Sequence, residues 1–263
     1  MKTVLITGAE GNIGTRLRGN LAEKYELRSL TGDPVAGLES LAADVADLDA
    51  ILPAFAGIDA VVHLAASPDV DTPWPDVLHN NVEGTYNVFE ASRRAGVKQV
   101  VFASSNHAVG MFEVDSLPAL YRRASGVMVD EHVPVRPDSL YGVSKAYGEA
   151  LGRYFSELHG LSVYCLRIGS VLHNDDPTSP ANVQTPNSSL VASSTTDERL
   201  RRYAATWCSH ADLARLIDAC LRAERIRFGI YYGVSDNPYR FWSLENAFAD
   251  LGWWPQDRAP EPA

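Results

Sequence analysis

Cysteine is scarce: Cys165, Cys208 and Cys220 are the only three in the chain. Their odd number and the lack of a C-x-x-C pair argue against a disulfide framework and against a thiolate zinc site. Reduced thiols in a cytoplasmic protein are expected, with no metal centre. No apolar run approaches the ~20 residues that a membrane span requires. Met1-Lys2 leads straight into the apolar stretch at 3–7, too short for a signal h-region, so neither export nor membrane insertion is expected. Basic residues are outnumbered, with 23 Lys and Arg against 33 Asp and Glu, a formal net charge of −10. That balance argues against a general nucleic-acid binder, which needs clustered cations to neutralise phosphates; on its own, acidity serves solubility. Internal repeats are absent, as is any linker that separates two folding units.

What is present fits a globular α/β protein. At 263 residues, 46% hydrophobic and 21% charged, the chain can bury roughly 70–75% of its unfolded surface. Short β-rich apolar runs alternate with longer amphipathic ones, the pattern of βα units in a parallel sheet. Strands are expected at 3–7, 26–30, 59–64, 98–104, 162–168 and 229–233, and helices near 12–23, 47–55, 80–95, 139–158 and 207–221. Val82, Thr85, Tyr86 and Phe89 recur at helical spacing and read as core packing. Between His173 and Thr196 the chain turns to Asn, Asp, Pro, Ser and Thr, which suits a mobile loop in a substrate region or an insertion without function. The expected fold is a Rossmann-type doubly wound parallel sheet with a small C-terminal substrate-binding region. One domain over 1–263 is expected, with about 1–160 mainly holding cofactor and about 161–263 contributing the substrate pocket.

Gly8-Ala9-Glu10-Gly11-Asn12-Ile13-Gly14 directly follows the first strand and opens a helix, a context that points to dinucleotide binding. Glycine permits a tight turn and close approach of a pyrophosphate, which the helix N-terminus then holds. Gly8, Gly11, Asn12, Ile13 and Gly14 are therefore candidate cofactor residues, although the spacing differs from G-x-G-x-x-G. An acidic residue at the end of the second strand would bind the ribose 2′-hydroxyl and repel a 2′-phosphate. Thr31 occupies that position and Asp33 stands nearby, which leaves NAD and NADP both open.

Tyr141-Gly142-Val143-Ser144-Lys145 puts a tyrosine and a lysine four residues apart, on one helix face. A free phenol, with a pKa of ~10, is a poor base at neutral pH, and a nearby ammonium favours the phenolate. The lysine can also hold a nicotinamide ribose. Ser104-Ser105-Asn106 stands at the end of the fourth expected strand, 98–104, where a hydroxyl could donate to a reacting oxygen.

With these residues in place the chain resembles the extended short-chain dehydrogenase/reductase family over nearly its whole length. Counted back from Gly110, Ser105 matches that family's catalytic Ser/Thr, which implies Tyr141 as base, Lys145 as its partner and hydride transfer to nicotinamide. Asp44-Val45 resembles the family's adenine-contacting pair. His63-Leu64-Ala65-Ala66 resembles its small-residue turn, so Leu64, Ala65 and Ala66 join the cofactor set while His63 reads as structural. A narrower resemblance, to uronate dehydrogenases and archaeal glucose-6-phosphate dehydrogenases, rests on the segments 102–110, 136–145, 167–170 and 206–210. It implies that Ser67, Ser105, Asn106, His107 and Ser170 contact the sugar and that Arg202 binds the substrate's anion. An Arg fork suits either a carboxylate or a phosphate.

The segment after Gly110 and the run 80–85 lean toward the archaeal sugar-phosphate relatives, whereas Ser170 leans toward the uronate enzymes; 173–196 follows neither. His107 also reads as a strand-end donor, Arg202 as one of the surface run 199–202, and Trp242, Trp253 and Trp254 as C-terminal packing. The resemblance thus implies oxidation of the anomeric carbon of a uronate or hexose 6-phosphate to the lactone with NAD or NADP. Two alternatives stay open: an NDP-sugar epimerase or dehydratase, and a non-catalytic NAD(P)-sensing regulator. The expected partner is a small-molecule sugar acid or sugar phosphate, with self-association left open.

Overall fold

The computed structural model describes residues 1–117, 119–121, 126–183 and 195–261. Seven strands form one sheet: β1 (Thr3–Thr7), β2 (Glu26–Thr31), β3 (Leu41–Ala42), β4 (Ala60–His63), β5 (Gln99–Ser105), β6 (Ser162–Ile168) and β7 (Phe228–Gly233). Their order is β3-β2-β1-β4-β5-β6-β7, and every neighbouring pair is parallel. Parallel pairing demands crossovers, and helices supply most of them: α1 (Asn12–Leu21), α2 (Leu48–Ile51), α3 (Trp74–Asp76), α4 (Gly84–Ala95), α5 (Met111–Asp115), α6 (Leu140–His159), α7 (Thr196–Thr206) and α8 (His210–Arg222), with α9 (Glu245–Leu251) following the last strand.

The central strands are apolar on both faces because helices cover both. Val4, Ile6, Val62 and Val101 pack to one side with Leu17 and Leu21 of α1 and with Leu216 and Ile217 of α8. Leu5, Val61, Val100 and Phe102 pack to the other with Val88 and Phe89 of α4 and Phe155 of α6. Each such side chain contributes about 1.5–3 kcal/mol when fully buried. The chain builds outward from β1 to β3 and then returns to place β4 on the opposite side of β1. Such a reversal opens a crevice beyond the carboxyl ends of the strands.

The expected strands are found within a residue or two at each end, as is most of the helix expected at 139–158. Departures have local causes. The helix near 47–55 is α2 followed by a 3-10 turn over Leu52–Phe55 with Pro53 in its first turn. The helix expected from residue 80 starts earlier, as a π-helical turn over Val77–Glu83 that leads into α4. The one expected over 207–221 starts at His210, because the Ser209 hydroxyl accepts from the Asp212 N–H and caps it there. Of the polar stretch 173–196, residues 184–194 lie outside the described ones. Pro180–Val183 form a 3-10 turn, and a Thr195/Glu198 capping box starts α7.

The C-terminal tryptophans pack as expected at two of three positions. Trp242 stacks on Tyr232 at 5.9 Å between ring centroids and Trp253 is buried, while Trp254 is exposed. Among the described residues no helix is long and apolar enough to cross a membrane.

Candidate active site

A cleft of about 950 Å³ opens beyond the carboxyl ends of the strands. Gly8, Gly11, Asn12, Ile13, Gly14, Thr31, Asp44, Val45, Leu64, Ala65 and Ala66 border it, as do Ser105, Asn106, His107, Tyr141, Lys145, Ser170 and Arg202. The fold thus gathers nearly every residue singled out from the sequence. Ser67 is the exception. Its N–H donates to Asn81 Oδ1 at 2.7 Å, and its hydroxyl accepts from Asn80 Nδ2 at 2.9 Å. Its carbonyl also accepts from Asn81 Nδ2 at 3.1 Å, and its neighbours Pro68 and Asn80 border the cleft instead.

The glycine turn is built for close approach. Gly8 has φ +65°, and a Cβ there would lie 2.8 Å from the Ala65 nitrogen; a Cβ at Gly14 would meet the Gly8 carbonyl at 2.4 Å. Gly11 caps α1 without a side-chain hydrogen bond, so the first N–H groups of the helix stay available to an anion. Asn12 donates through Nδ2 to the Val171 carbonyl at 3.0 Å, while its buried Oδ1 has no partner. The open glycine turn and the free N–H groups at the start of α1 fit the pyrophosphate of a dinucleotide. Further along, the Asp44 carboxylate accepts from the Ala46 N–H at 2.9 Å and meets His79 at 2.8 Å. The backbone hydrogen bond, aided by His79, holds its pKa below the usual carboxylate range.

His63 lies behind this turn, fully buried. Thr7 Oγ1 accepts from the N–H groups of Leu64 and Ala65, at 3.2 Å each, so its own proton goes to His63 Nδ1 at 2.8 Å. His63 Nε2–H then donates to Thr85 Oγ1 at 3.3 Å. Burial, with the Lys145 charge adding to it, pushes the imidazole pKa down to about 3. The residue is a neutral structural pin, as the sequence suggested.

α6 carries Tyr141 and Lys145. The Lys145 Nζ donates to the Ala103 carbonyl at 2.9 Å and stands 5.4 Å from the centre of the Tyr141 ring. Burial pulls its pKa down to about 8. The Tyr141 phenol is pushed up to about 12, chiefly by burial, with Asp138 adding to the rise and hydrogen bonding by Ser105 opposing it. Ser105 thus favours the phenolate in this arrangement. Ser105 also caps the turn Asn106–Val109 by accepting from the His107 N–H at 3.2 Å.

At the far end, His107 Nδ1 meets the nearly buried Asp138 carboxylate at 2.7 Å. That contact fixes Nδ1–H as donor and leaves Nε2 without a partner among the described residues. Ser170 and Thr206 share a hydrogen bond of 2.7 Å, and Thr206 in turn donates to the Arg202 carbonyl at 2.9 Å, so α7 positions both Ser170 and Arg202. Arg202 is buried, not part of a solvated surface run. Its Nε and Nη2 donate to the two oxygens of buried Glu113, at 2.5 and 3.2 Å, and the Tyr121 hydroxyl donates to the same carboxylate. Burial opposes the Arg202 charge, but Glu113 more than offsets this, and the guanidinium pKa is raised. Nη1 has no hydrogen bond among the described residues.

Several contributors escaped the sequence reading. Glu149 accepts from Ser104 Oγ at 2.6 Å and from the Arg167 fork at 2.9 Å twice, beneath the floor formed by Ala103 to Ser105. An arginine inside the apolar strand at 162–168 was a legible sign of a buried partner, and Glu149 lies one helical turn beyond Lys145. Asn81 ties Ser67 to Ser144 Oγ at 3.1 Å. Glu113 carried no comparable signal.

A doubly wound parallel sheet with a glycine-rich turn at its switch point, facing a Tyr/Lys pair, defines a dinucleotide-dependent protein of the Rossmann class. The chain belongs to the NAD dependent epimerase/dehydratase family, whose model matches residues 4–225. It is 37% identical to an NAD-dependent glucose-6-phosphate dehydrogenase of Haloferax volcanii, over 98% of this chain and 94% of that protein. An L-arabinose 1-dehydrogenase (NAD(P)(+)) of the same organism is 36% identical, over 98% of each chain. Among solved structures, the Agrobacterium tumefaciens uronate dehydrogenase, as a tyrosine-to-alanine mutant complexed with NAD, superposes with a TM-score of 0.79. It is 32% identical, with 98% of this chain and 86% of that one covered.

Proposed function

We propose that this chain oxidises the anomeric carbon of an anionic sugar, a uronate or hexose 6-phosphate, to the lactone with NAD or NADP. The observation that carries this reading is one cleft with the glycine turn at one end and Tyr141, Lys145, Ser105 and Arg202 at the other. When bound, the nicotinamide supplies the hydride acceptor. Tyr141 takes the proton of the anomeric hydroxyl. Ser105 holds the reacting oxygen and favours the phenolate, and Lys145 adds positive charge beside it. His107, with Nδ1–H turned to Asp138, offers Nε2 as an acceptor to a sugar hydroxyl. Arg202, with its fork gripped by Glu113, offers Nη1 to the carboxylate or phosphate. Residues up to about 160 thus mainly serve the cofactor while also supplying Ser105, His107 and Tyr141 to the sugar, and those beyond contribute Ser170 and Arg202 to the substrate pocket. The reaction belongs in the cytoplasm, where three buried thiols stay reduced.

A neutral aldose is the second reading. It is favoured by the Glu113 carboxylate, which balances the Arg202 charge, and by the likeness to an arabinose dehydrogenase. Glucuronate, galacturonate, glucose 6-phosphate, glucose and arabinose, each offered with NAD and with NADP, separate the two by the accumulation of reduced cofactor. Turnover confined to the anionic sugars supports the first reading; equal turnover of their neutral counterparts supports the second.

A further inference from the structure

The position at the tip of β2 from which an acid would select NAD does not do so here. Thr31 is buried, and its hydroxyl bonds to Ser40 Oγ at 3.0 Å. The next residue is Gly32, whose N–H is the first beyond the strand to face the cleft edge. That N–H is taken by a side chain from another element: Glu10 of the glycine turn accepts it through Oε1 at 2.9 Å. The turn is also tied to β2 by backbone hydrogen bonds, with Gly8 N–H donating to the Leu30 carbonyl at 2.9 Å. Glu10 therefore spans the mouth between turn and strand, solvent-exposed and bordering the cleft, with Oε2 unbonded among the described residues.

From this we infer that Glu10 selects NAD over NADP, acting from the glycine turn in place of an acid at the end of β2. The inference rests on the cleft holding a dinucleotide with its adenosine half at β2. A carboxylate at this point accepts hydrogen bonds from a ribose diol and repels the extra dianionic charge of a 2′-phosphate. It also occupies the backbone N–H that a phosphate would use. Asp33 and Asp44 border the same end of the cleft, whereas its bordering Lys and Arg, Lys145 and Arg202, belong to the catalytic end. No described cation bordering the cleft near β2 offsets the repulsion.

The test is a binding titration that needs no sugar: NADH and NADPH against the wild-type chain, Glu10→Gln and Glu10→Ala, followed by nucleotide fluorescence. The glutamine keeps an acceptor for the Gly32 N–H and removes only the charge, so it separates repulsion from a mere tie between turn and strand. We expect wild type to bind NADH at least about tenfold more tightly than NADPH, and Glu10→Gln to shift that ratio toward NADPH by about tenfold or more, roughly 1.4 kcal/mol. Glu10→Ala should shift it the same way. An unchanged ratio in Glu10→Gln, or wild-type binding of NADPH as tight as NADH, overturns the inference while leaving the proposed sugar oxidation intact. Failure of the wild-type chain to bind either nucleotide would overturn both.

Discussion

Tyr141 is a base held far from its working ionisation state. Burial raises its pKa to about 12 and Ser105 opposes that rise, so below that value the phenolate fraction grows by about tenfold per pH unit. Sugar-dependent kcat/KM should therefore climb between about pH 6 and pH 8. Removing the opposing hydroxyl in Ser105→Ala should displace that limb to higher pH, which a pH series on both proteins reads directly; coincident limbs would deny Ser105 this role. Arg202 makes a different demand, because its worth lies in a planar fork as well as in a charge. Arg202→Lys keeps the charge beside Glu113 but loses the fork. For an anionic sugar it should raise KM by about tenfold or more, the value of one or two charge-assisted hydrogen bonds. NADH affinity should not change.

At the scale of elements, α6 and β6 are joined by a buried ion pair, Glu149 with Arg167, whose side chains are 4% and 1% exposed. Removing one partner strands the other charge in the core. Arg167→Met should cost about 3–5 kcal/mol in denaturant unfolding, whereas a change within about 1 kcal/mol would show that the carboxylate is neutralised by other means. The strands were legible because residues 3–7, 99–105 and 162–168 carry apolar runs that only a two-sided core explains. The Tyr141/Lys145 pair and the glycine turn were legible because their spacing is local. β3 was not, since Leu41–Ala42 is too short for a period to register. α7 was missed although Thr195 and Glu198 form a capping box, because the polar stretch before it masked the start. The π-helical turn over Val77–Glu83 has no pattern of its own; its sign is the contact it enables, with Asn80 and Asn81 both reaching Ser67. The Glu10 to Gly32 and Glu113 to Arg202 pairs are 22 and 89 residues apart in sequence, and only the fold brings them together.

At the scale of the whole molecule, the core carries an acid-sensitive pin. His63 has a folded pKa near 3 against 6.5 when free, so the unfolded chain binds the extra proton. The stability tied to this residue is present above pH 6.5 and falls as pH drops toward 3, by at most about 1.4 kcal/mol per unit. Unfolding midpoints measured down this range should decline more steeply for the wild-type chain than for His63→Gln. Parallel declines would place the acid sensitivity elsewhere. Occupied cofactor should act in the opposite sense, raising the midpoint by mass action, about 2.7 kcal/mol at a hundredfold excess over Kd. The most direct measurement is the ultraviolet absorbance of reduced nicotinamide when the purified chain is given anionic aldoses with NAD, alongside Tyr141→Phe. Stoichiometric accumulation of NADH and lactone with at least one of these sugars, lost in the phenylalanine variant, is the expected result. Cofactor binding without net reduction on any sugar, or undiminished turnover in Tyr141→Phe, would contradict the reaction proposed here.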